Sequence, residues 1–179
     1  SRNSLPDLLA PLKNDPRARV GRLISHRPAF DVILCHNILA YLDDLDSVTP
    51  RILTSLKPGG IVSAISMNRY SEVLREILHD HNPRAAREKL DSETYTSATF
   101  QNPITLYTAE DMLAKFQPFD CLLEAQFGIR CVNDYLAEDT LKEDPGFYTA
   151  LESLESALGS KYPYHLLARF FQLILRKAP

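Results

Sequence analysis

The sequence predicts an α/β fold with a mostly parallel sheet, and one stretch, residues 30–68, carries that prediction. The apolar run Val32-Ile33-Leu34 is typical of a buried strand in a parallel sheet. Apolar residues at helical spacing follow over 45–56. Lys57-Pro58-Gly59-Gly60 is expected to end that helix in a tight turn, and 61–65 starts a second strand. The stretch is therefore one strand-helix-strand unit, whose crossover we expect to be right-handed.

The elements that follow this unit alternate between helical and strand-like patterns. Residues 70–78 have the apolar spacing of an amphipathic helix, whereas the polar residues 92–102 indicate a loop. Thr108-Ala-Glu-Asp111 has the form of a capping box and predicts a helix start. Residues 120–132 are strand-like, with Gly128 as a candidate bulge. A helix is expected over 147–158, ending near Gly159, and a long strand over Leu166–Leu175.

Length and composition are those of one soluble domain with its own core. It has 179 residues, of which 45% are hydrophobic, and a net charge of −3, which argues against a general nucleic-acid coat but allows a local basic face. Three cysteines occur in apolar contexts, and none of them has metal-ligand spacing, so we expect reduced thiols and no metal. No apolar run is long enough for a bilayer and no signal-peptide pattern opens the chain, which predicts a cytoplasmic protein.

Several motifs together resemble one enzyme superfamily. FDVILCHNILAYLDD followed by LKPGGIVSAISMN resembles the second half of a class I S-adenosylmethionine-dependent methyltransferase. The later motifs LYTAEDMLAKF, FGIRCVNDYL and YPYHLLARFFQLILRK are similar to those of the family that methylates the carboxyl group of 5-carboxymethoxyuridine at the tRNA wobble position. The resemblance covers about 29–177 and is patchy over 69–103. It implies a Rossmann-like sheet with an antiparallel last strand, S-adenosylmethionine as cofactor and tRNA as partner.

The start of the chain departs from this resemblance. The superfamily begins with a strand and a glycine-rich turn, followed by a second strand that ends in an acidic residue. Gly21 is the only glycine before Gly59, so no G-x-G pattern is present. The expected organisation is one methyltransferase domain over 1–179, incomplete at its N-terminus, with 69–102 as the lid that the resemblance implies.

The cofactor side of the predicted site lies just after the first strand. Cys35, His36 and Asn37 follow Leu34 at the strand's carboxyl end, where open α/β sheets bind ligands. The resemblance implies that His36 lies near the cofactor; the alternative is a histidine that caps the following turn. Cys35 fits packing better than chemistry, since nothing nearby would lower its pKa.

Five other residues are candidates for substrate binding. Asn68 and Arg69 leave the second strand at the same edge, although such an asparagine is also a common turn former. Arg130 and Arg169 interrupt apolar runs, with Tyr135 near the first of them. Each arginine needs an acidic partner such as Glu124 or Asp134, a solvent-facing side, or an anionic ligand that suits its planar fork. Asp43-Asp44 is expected to start a helix rather than to act as a carboxylate pair.

The predicted reaction needs no catalytic residue. A carboxylate is ionised near neutral pH and can attack a sulfonium methyl without a general base, so the protein has only to align it and exclude water. Two other functions stay open at this point. One is a small-molecule O-methyltransferase with the same sheet, and the other is a non-catalytic α/β fragment that binds a partner. The oligomeric state is not predicted.

Overall fold

The computed structural model describes residues 28–96 and 103–179, which form six strands and five α-helices. The elements, in chain order, are β1 (Phe30–His36), α1 (Leu45–Ser55), β2 (Leu56–Met67), α2 (Arg69–Leu78), α3 (Pro83–Lys89), β3 (Thr94–Thr96), β4 (Pro103–Thr105), α4 (Ala109–Phe116), β5 (Cys121–Ile129), α5 (Pro145–Leu158) and β6 (Phe170–Lys177). Short 3-10 turns occupy, among other places, 133–135, 139–143 and 164–167. Predictions that concern residues 1–27 and 97–102 lie outside the described residues.

The main sheet has four strands in the order β1-β2-β6-β5. Strands β1 and β2 are parallel, with Val32 opposite Ile61 and His36 opposite Ile65. Strand β6 is antiparallel to both of its neighbours, β2 and β5. Three of the four strands therefore run in one direction and the last strand runs against them. This arrangement confirms the predicted α/β fold with a mostly parallel sheet and an antiparallel final strand.

One face of this sheet carries the core. Helices α1 and α4 bury residues such as Leu53 and Phe116 against Val62 and Phe171 of the strands. These side chains alternate along β2 and β6 with residues on the opposite face, as the two-residue period of a strand requires. The covered face is thus mostly apolar, with a few buried hydroxyl side chains such as Ser66 of β2 and Thr49 of α1.

Two predicted boundaries differ from those of the structure, at the start of β2 and at the start of β6. Lys57-Pro58-Gly59-Gly60 lies within β2 rather than in a separate turn, and Gly59 takes the left-handed conformation there (φ 74°). The pairing of β1 with β2 shifts register at this point, between Phe30 and Val32. Strand β6 begins at Phe170, not Leu166, because a 3-10 turn occupies 164–167.

Two other local predictions were wrong. The segment expected as a loop over 92–102 contains strand β3, which pairs with β4. The bulge in β5 falls between Leu123 and Ala125, not at Gly128. Gly128 serves a different need: a Cβ placed there would come within 2.7 Å of both Ala168 and His165. The glycine is required for close approach of the chain that leads into β6.

The predicted helix starts are confirmed by their caps. The carboxylate of Asp44 accepts the backbone N–H of Ser47 at 3.0 Å, and Asp144 caps α5 in the same way. Thr108 and Asp111 form a complete capping box, with reciprocal bonds of 3.1 and 3.0 Å. Within the described residues, no helix has the length and apolar character needed to cross a membrane.

Candidate functional site

The residues predicted for the site meet along one edge of the sheet. The carboxyl ends of β1, β2 and β5 lie there, together with the start of the antiparallel β6. Across the sheet, the edge presents His36, Asn68, Arg169 and Arg130 in that order. Adjacent strands are about 4.8 Å apart, so His36 and Arg130 stand on strands roughly 14 Å apart. This span suits a ligand that lies across the strand ends.

His36 is exposed and is held by a short hydrogen-bonded chain. Its Nε2 lies 2.9 Å from the hydroxyl of Ser63 on β2. The side-chain amide of Gln172 on β6 donates to the same hydroxyl at 2.8 Å. Ser63 can accept both bonds or donate one of them to the ring, so either tautomer of the imidazole fits this contact. Among the described residues Nδ1 has no partner, which leaves this nitrogen for a ligand.

The two neighbours of His36 differ in their positions. Asn37 is exposed and takes a left-handed backbone (φ 51°), and its N–H donates to the carbonyl of Ile65 at 2.8 Å. Cys35 lies on the opposite side of β1, where only 5% of it is exposed within the core. Burial raises the pKa of the Cys35 thiol to about 11, so it stays protonated at neutral pH. Its side chain packs in the core, as its sequence context suggested, and only its backbone reaches the edge.

The side chain of Asn68 holds three backbone groups together at the end of β2. It is buried, and its amide donates to the carbonyls of Leu166 at 2.8 Å and Ala168 at 3.0 Å. Its side-chain oxygen accepts the backbone N–H of Tyr70 and so caps α2. The turn-former alternative therefore describes this side chain, since backbone groups use its polar atoms.

Arg69 directly follows Asn68, and its side chain is partly exposed to solvent. Its guanidinium is 3.0 Å from Asp111 and 3.6 Å from Glu93, with 25% of the side chain exposed. These two carboxylates join the end of β2 to the start of α4 and to the residue before β3. The remaining donors of the fork are available at the strand edge.

Arg169 belongs to a buried ionic cluster. It forms an ion pair with Glu72 of α2, donates to the hydroxyl of Ser71 at 3.2 Å and lies 3.6 Å from Asp134. Only 8% of the arginine side chain and 1% of the Glu72 side chain are exposed. The guanidinium also lies 6.0 Å from the ring centre of Tyr95. A buried, paired guanidinium is chiefly a structural element of this site.

Arg130 is paired with Asp134 but, unlike Arg169, is half exposed, with 52% of its side chain open. Its backbone is left-handed (φ 59°), directly after β5 ends. Tyr135 follows in the same turn and its hydroxyl donates to the carbonyl of Leu167. Burial raises the pKa of Tyr135 well above its usual value, so the phenol stays a neutral donor. Of the two sequence-predicted partners, Asp134 is correct; Glu124 pairs with Arg176 instead.

A single carboxylate holds the turn that carries Arg130. Glu155 of α5 accepts the backbone N–H groups of Cys131, Val132 and Asn133 at 2.5, 2.9 and 2.7 Å. Three amide donors on one side chain fix the chain direction directly after the left-handed residue. Sequence reasoning did not detect this contact, because Glu155 follows the turn by more than twenty residues and lies on a separate helix.

A polar cavity of about 290 Å³ opens beside these arginines. It is lined by four cations with two carboxylates, a histidine, a tyrosine and a leucine: Arg75, Arg130, Lys142, Arg169, Asp134, Asp139, His79, Tyr95 and Leu136. The Nε of Arg75 is buried and has no hydrogen-bond partner among the described residues. Each of the four cations lies within salt-bridge distance of a carboxylate, so the donors left for a carboxylate or a phosphate are the Nε of Arg75 and the half-exposed guanidinium of Arg130.

Sequence reasoning missed Arg75, His79 and Lys142 as members of this cavity. Arg75 and His79 have the four-residue spacing of one helix face, which was the only available signal. Lys142 lies in a 3-10 turn with no motif. Within the described parts of the chain, no group of His, Cys, Asp and Glu side chains is arranged to hold a metal ion.

A second cavity, of about 520 Å³, lies on the neighbouring side of α2. Its lining is mostly apolar with charged residues among it: Arg69, Tyr70, Val73, Leu74, Lys89, Leu90, Asp91, Glu93 and Leu167. The two cavities lie near each other, since the Lys89 ammonium is 5.9 Å from the ring centre of Tyr95, which lines the polar cavity.

Comparison with known proteins agrees with this architecture. No family model matches the chain. The chain is 26% identical over 149 residues to the tRNA 5-carboxymethoxyuridine methyltransferase of Escherichia coli K12, covering 82% of this chain and 54% of that protein. The same enzyme from Escherichia coli O157:H7 aligns equally well. The chain thus spans about half the length of the curated relatives it matches.

Among solved structures, an S-adenosylmethionine-dependent methyltransferase from Listeria monocytogenes superimposes with a TM-score of 0.54 at 12% identity. The match covers 87% of this chain and 64% of that one. At this identity the likeness concerns the fold. The sheet order, the antiparallel last strand and this superposition agree, and the chain therefore has the α/β fold of the class I S-adenosylmethionine-dependent methyltransferases, with a sequence similar to that of the tRNA 5-carboxymethoxyuridine methyltransferase.

Proposed function

We propose that this chain is part of an enzyme that transfers a methyl group from S-adenosylmethionine to the carboxylate of 5-carboxymethoxyuridine at the wobble position of tRNA. The observation that carries the proposal is the cation-lined cavity at the strand-end edge, where Arg130 is half exposed. The sequence similarity to the E. coli tRNA enzyme supports the choice of substrate. An enzyme of this kind acts in the cytoplasm, where tRNA is found.

The proposed cofactor contacts are at the end of β1. His36 offers Nδ1 and Asn37 offers an exposed amide, and these groups fit the polar parts of S-adenosylmethionine. Cys35 contributes backbone only, since its thiol is in the core. These residues supply one wall of a cofactor site. The sequence has no G-x-G turn before Gly59 to supply the opposite wall, so cofactor binding is the first property to measure.

The proposed acceptor contact is Arg130. Its guanidinium keeps donors free beyond those used by Asp134, and it opens into a cavity with Arg75 and Lys142. Arg169 and Tyr135 position this group: the first holds Asp134 from the buried side, and the second ties the turn to Leu167. Asn68 fixes the start of α2, and Arg69 lines the rim of the adjacent apolar cavity.

The chemistry asked of these residues is alignment. When bound, S-adenosylmethionine supplies an electrophilic methyl group on a sulfonium. The acceptor carboxylate has an ordinary pKa of about 4, so it is already an anion at neutral pH and needs no proton removed. Arg130 would fix one carboxylate oxygen and leave the other directed at the methyl group. The contact must stay moderate, because strong neutralisation also lowers the nucleophilicity of the oxygen.

The segment 69–102 is proposed to cover this site during the reaction. Its described part contains α2, α3 and β3, which line both cavities at the strand-end edge. Covering the acceptor would exclude water, whose hydration of the carboxylate opposes attack on the methyl group. The proposed organisation is one domain in which this insertion faces the substrate.

The experiment has two steps, because cofactor binding and transfer can fail separately. Calorimetry first measures the Kd of S-adenosylmethionine for the wild-type protein and the His36→Ala variant; we expect binding, weakened by the substitution. Radiolabelled methyl transfer to tRNA that carries 5-carboxymethoxyuridine is then measured for wild type, Arg130→Met and the control Arg176→Met, whose guanidinium pairs with Glu124 away from both cavities.

Arg130→Met should reduce kcat/KM for the tRNA while the cofactor Kd and the melting temperature stay near wild type. Arg176→Met should transfer normally. Absence of cofactor binding by the wild-type protein would contradict the proposal for this chain. Equal transfer rates for Arg130→Met and Arg176→Met would contradict the acceptor assignment alone.

A further inference from the structure

The apolar cavity beside α2 has walls that the methyl acceptor does not need. Tyr70, Leu90 and Leu167 line it and remain 46%, 51% and 43% exposed. Val73 and Leu74 extend the same lining along the helix. A cluster of large apolar side chains that stay about half exposed to solvent indicates a surface that a ligand covers.

The helix that borders this cavity carries three basic residues and one acidic residue, Glu88. Arg84 and Arg87 of α3 are exposed, and Lys89 of the same helix lines the cavity. Within residues 28–96 and 103–179, neither arginine has a carboxylate within salt-bridge distance. By contrast, Arg69 and Arg75 of the neighbouring α2 are both paired with acids. Helix α3 thus carries two exposed arginines without a described acidic partner, and its last residue, Lys89, lines the apolar cavity.

We propose that this surface binds a single-stranded segment of RNA next to the acceptor nucleotide. One base would enter the apolar cavity and stack on the ring of Tyr70. The backbone phosphates of the RNA would contact Arg84 and Arg87. Aromatic rings that alternate with basic groups are the usual means of holding single strands, because every base has a flat face and every nucleotide a phosphate. An acidic peptide such as polyglutamate would pair with the arginines, but it has no flat ring to stack on Tyr70 in the apolar cavity.

This inference deepens the proposed function and rests on it for the identity of the partner. Binding of RNA to this surface nevertheless requires neither the cofactor nor a carboxymethoxy group. It can therefore be measured on unmodified RNA, where the acceptor chemistry plays no part. In the complete reaction, the apolar cavity would make the enzyme prefer an RNA loop over an isolated modified nucleoside.

The test is a titration of a fluorescein-labelled hexauridylate, followed by fluorescence anisotropy at fixed low salt without cofactor. The stacking variants are Tyr70→Ala and Tyr70→Phe. Tyr148→Ala is the matched control, since Tyr148 on α5 has the same 46% exposure and lines neither cavity. We expect Tyr70→Ala to bind roughly 5- to 100-fold more weakly. Tyr70→Phe should bind as wild type, since stacking needs the ring and not the hydroxyl.

The charge component has its own variants. Arg84→Gln combined with Arg87→Gln should make the salt dependence of binding shallower by about 1.4 in log Kd against log salt, roughly 0.7 for each phosphate that is no longer neutralised. The control is Arg51→Gln, an exposed arginine on α1. All of these substituted side chains are on the surface, and circular dichroism checks that each variant is folded.

The results separate this inference from the proposed function. Equal RNA affinity for Tyr70→Ala and Tyr148→Ala, or competition by polyglutamate as strong as by RNA, would overturn the surface assignment. If RNA binding is unaffected by Tyr70→Ala while Arg130→Met still loses methyl transfer, this surface is wrong and the proposed function stands. If Tyr70→Ala weakens RNA binding while the wild type transfers no methyl group, the RNA-binding surface is correct and the proposed methyl transfer is wrong.

Discussion

Removing the guanidinium of Arg169 tests the ionic cluster on which the site is built. The substitution Arg169→Met keeps an apolar chain of similar length but leaves the carboxylate of Glu72 without its charged partner. Glu72 is 1% exposed, and its second oxygen has no hydrogen-bond partner among the described residues. An uncompensated charge at such a position costs about 3–5 kcal/mol. We expect the free energy of unfolding to fall by that amount.

The assay is equilibrium unfolding in urea, followed by far-UV circular dichroism. A fall in the midpoint concentration with an unchanged slope would report reduced stability rather than a changed denatured state. Arg176→Met is the matched control, because Arg176 also forms an arginine-glutamate pair, but with Glu124 at an exposed position. Surface pairs contribute little, so the control should lose only a small part of what Arg169→Met loses.

A double variant separates the missing charge partner from weakened packing. Replacing both Glu72 and Arg169 by Met removes the buried pair and leaves Asp134 with Arg130 as its partner, so most of the stability should return. Equal destabilisation by Arg169→Met and Arg176→Met would refute the interpretation of Arg169 as a buried structural group. A double variant less stable than Arg169→Met would refute the charge argument and indicate packing instead.

Three further outcomes follow from the contacts. Glu155→Ala should lower the free energy of unfolding by about 2 kcal/mol, since it leaves the backbone N–H groups of 131–133 without their acceptor, as urea unfolding would detect; an unchanged midpoint would contradict this. Gly128→Ala should cost about 1–3 kcal/mol through overpacking, measured as a lower melting temperature. The thiol of Cys35 should resist Ellman's reagent in the folded protein. The folded state raises its pKa from an ordinary 9.0 to about 11, so its contribution to stability is present below pH 9 and is lost as the pH rises to 11; a Cys35→Ala variant with the same alkaline profile would contradict the assignment.

The parts of the fold that local pattern controls could be predicted from the sequence. The helices that start after Asp44 and Thr108 were correct because capping chemistry is a short-range property. The apolar run Val32-Ile33-Leu34 does lie in a strand parallel to its neighbour, but its predicted burial was wrong: β1 is an edge strand of the described sheet, and Val32 and Leu34 are 53% and 64% exposed. The turn predicted at Lys57-Pro58-Gly59-Gly60 lies inside the bounds of β2 instead, as an irregularity at which the pairing with β1 passes from Leu56 directly to Ile61. Likewise, the need for Gly128 depends on His165 and Ala168, which approach it only in the folded chain.

The candidate site could be predicted as a location but not as a set of contacts. Strand ends identified where His36, Asn68 and Arg130 would lie. The sequence also indicated that each buried arginine needs a partner, and Asp134 was one of the two candidates. It could not indicate Glu72 as the main partner of Arg169, because that pair joins residues almost a hundred positions apart.

Carboxyl methylation is tested most directly by the product formed on tRNA. Purified protein is incubated with S-adenosylmethionine and tRNA that carries 5-carboxymethoxyuridine, and the digested nucleosides are identified by mass spectrometry before and after mild alkali. We predict a nucleoside heavier by one methylene, which alkali converts back to the starting carboxylate because the methyl group is held as an ester. A methyl group that survives alkali, or an unchanged nucleoside from protein that binds the cofactor, would contradict this prediction.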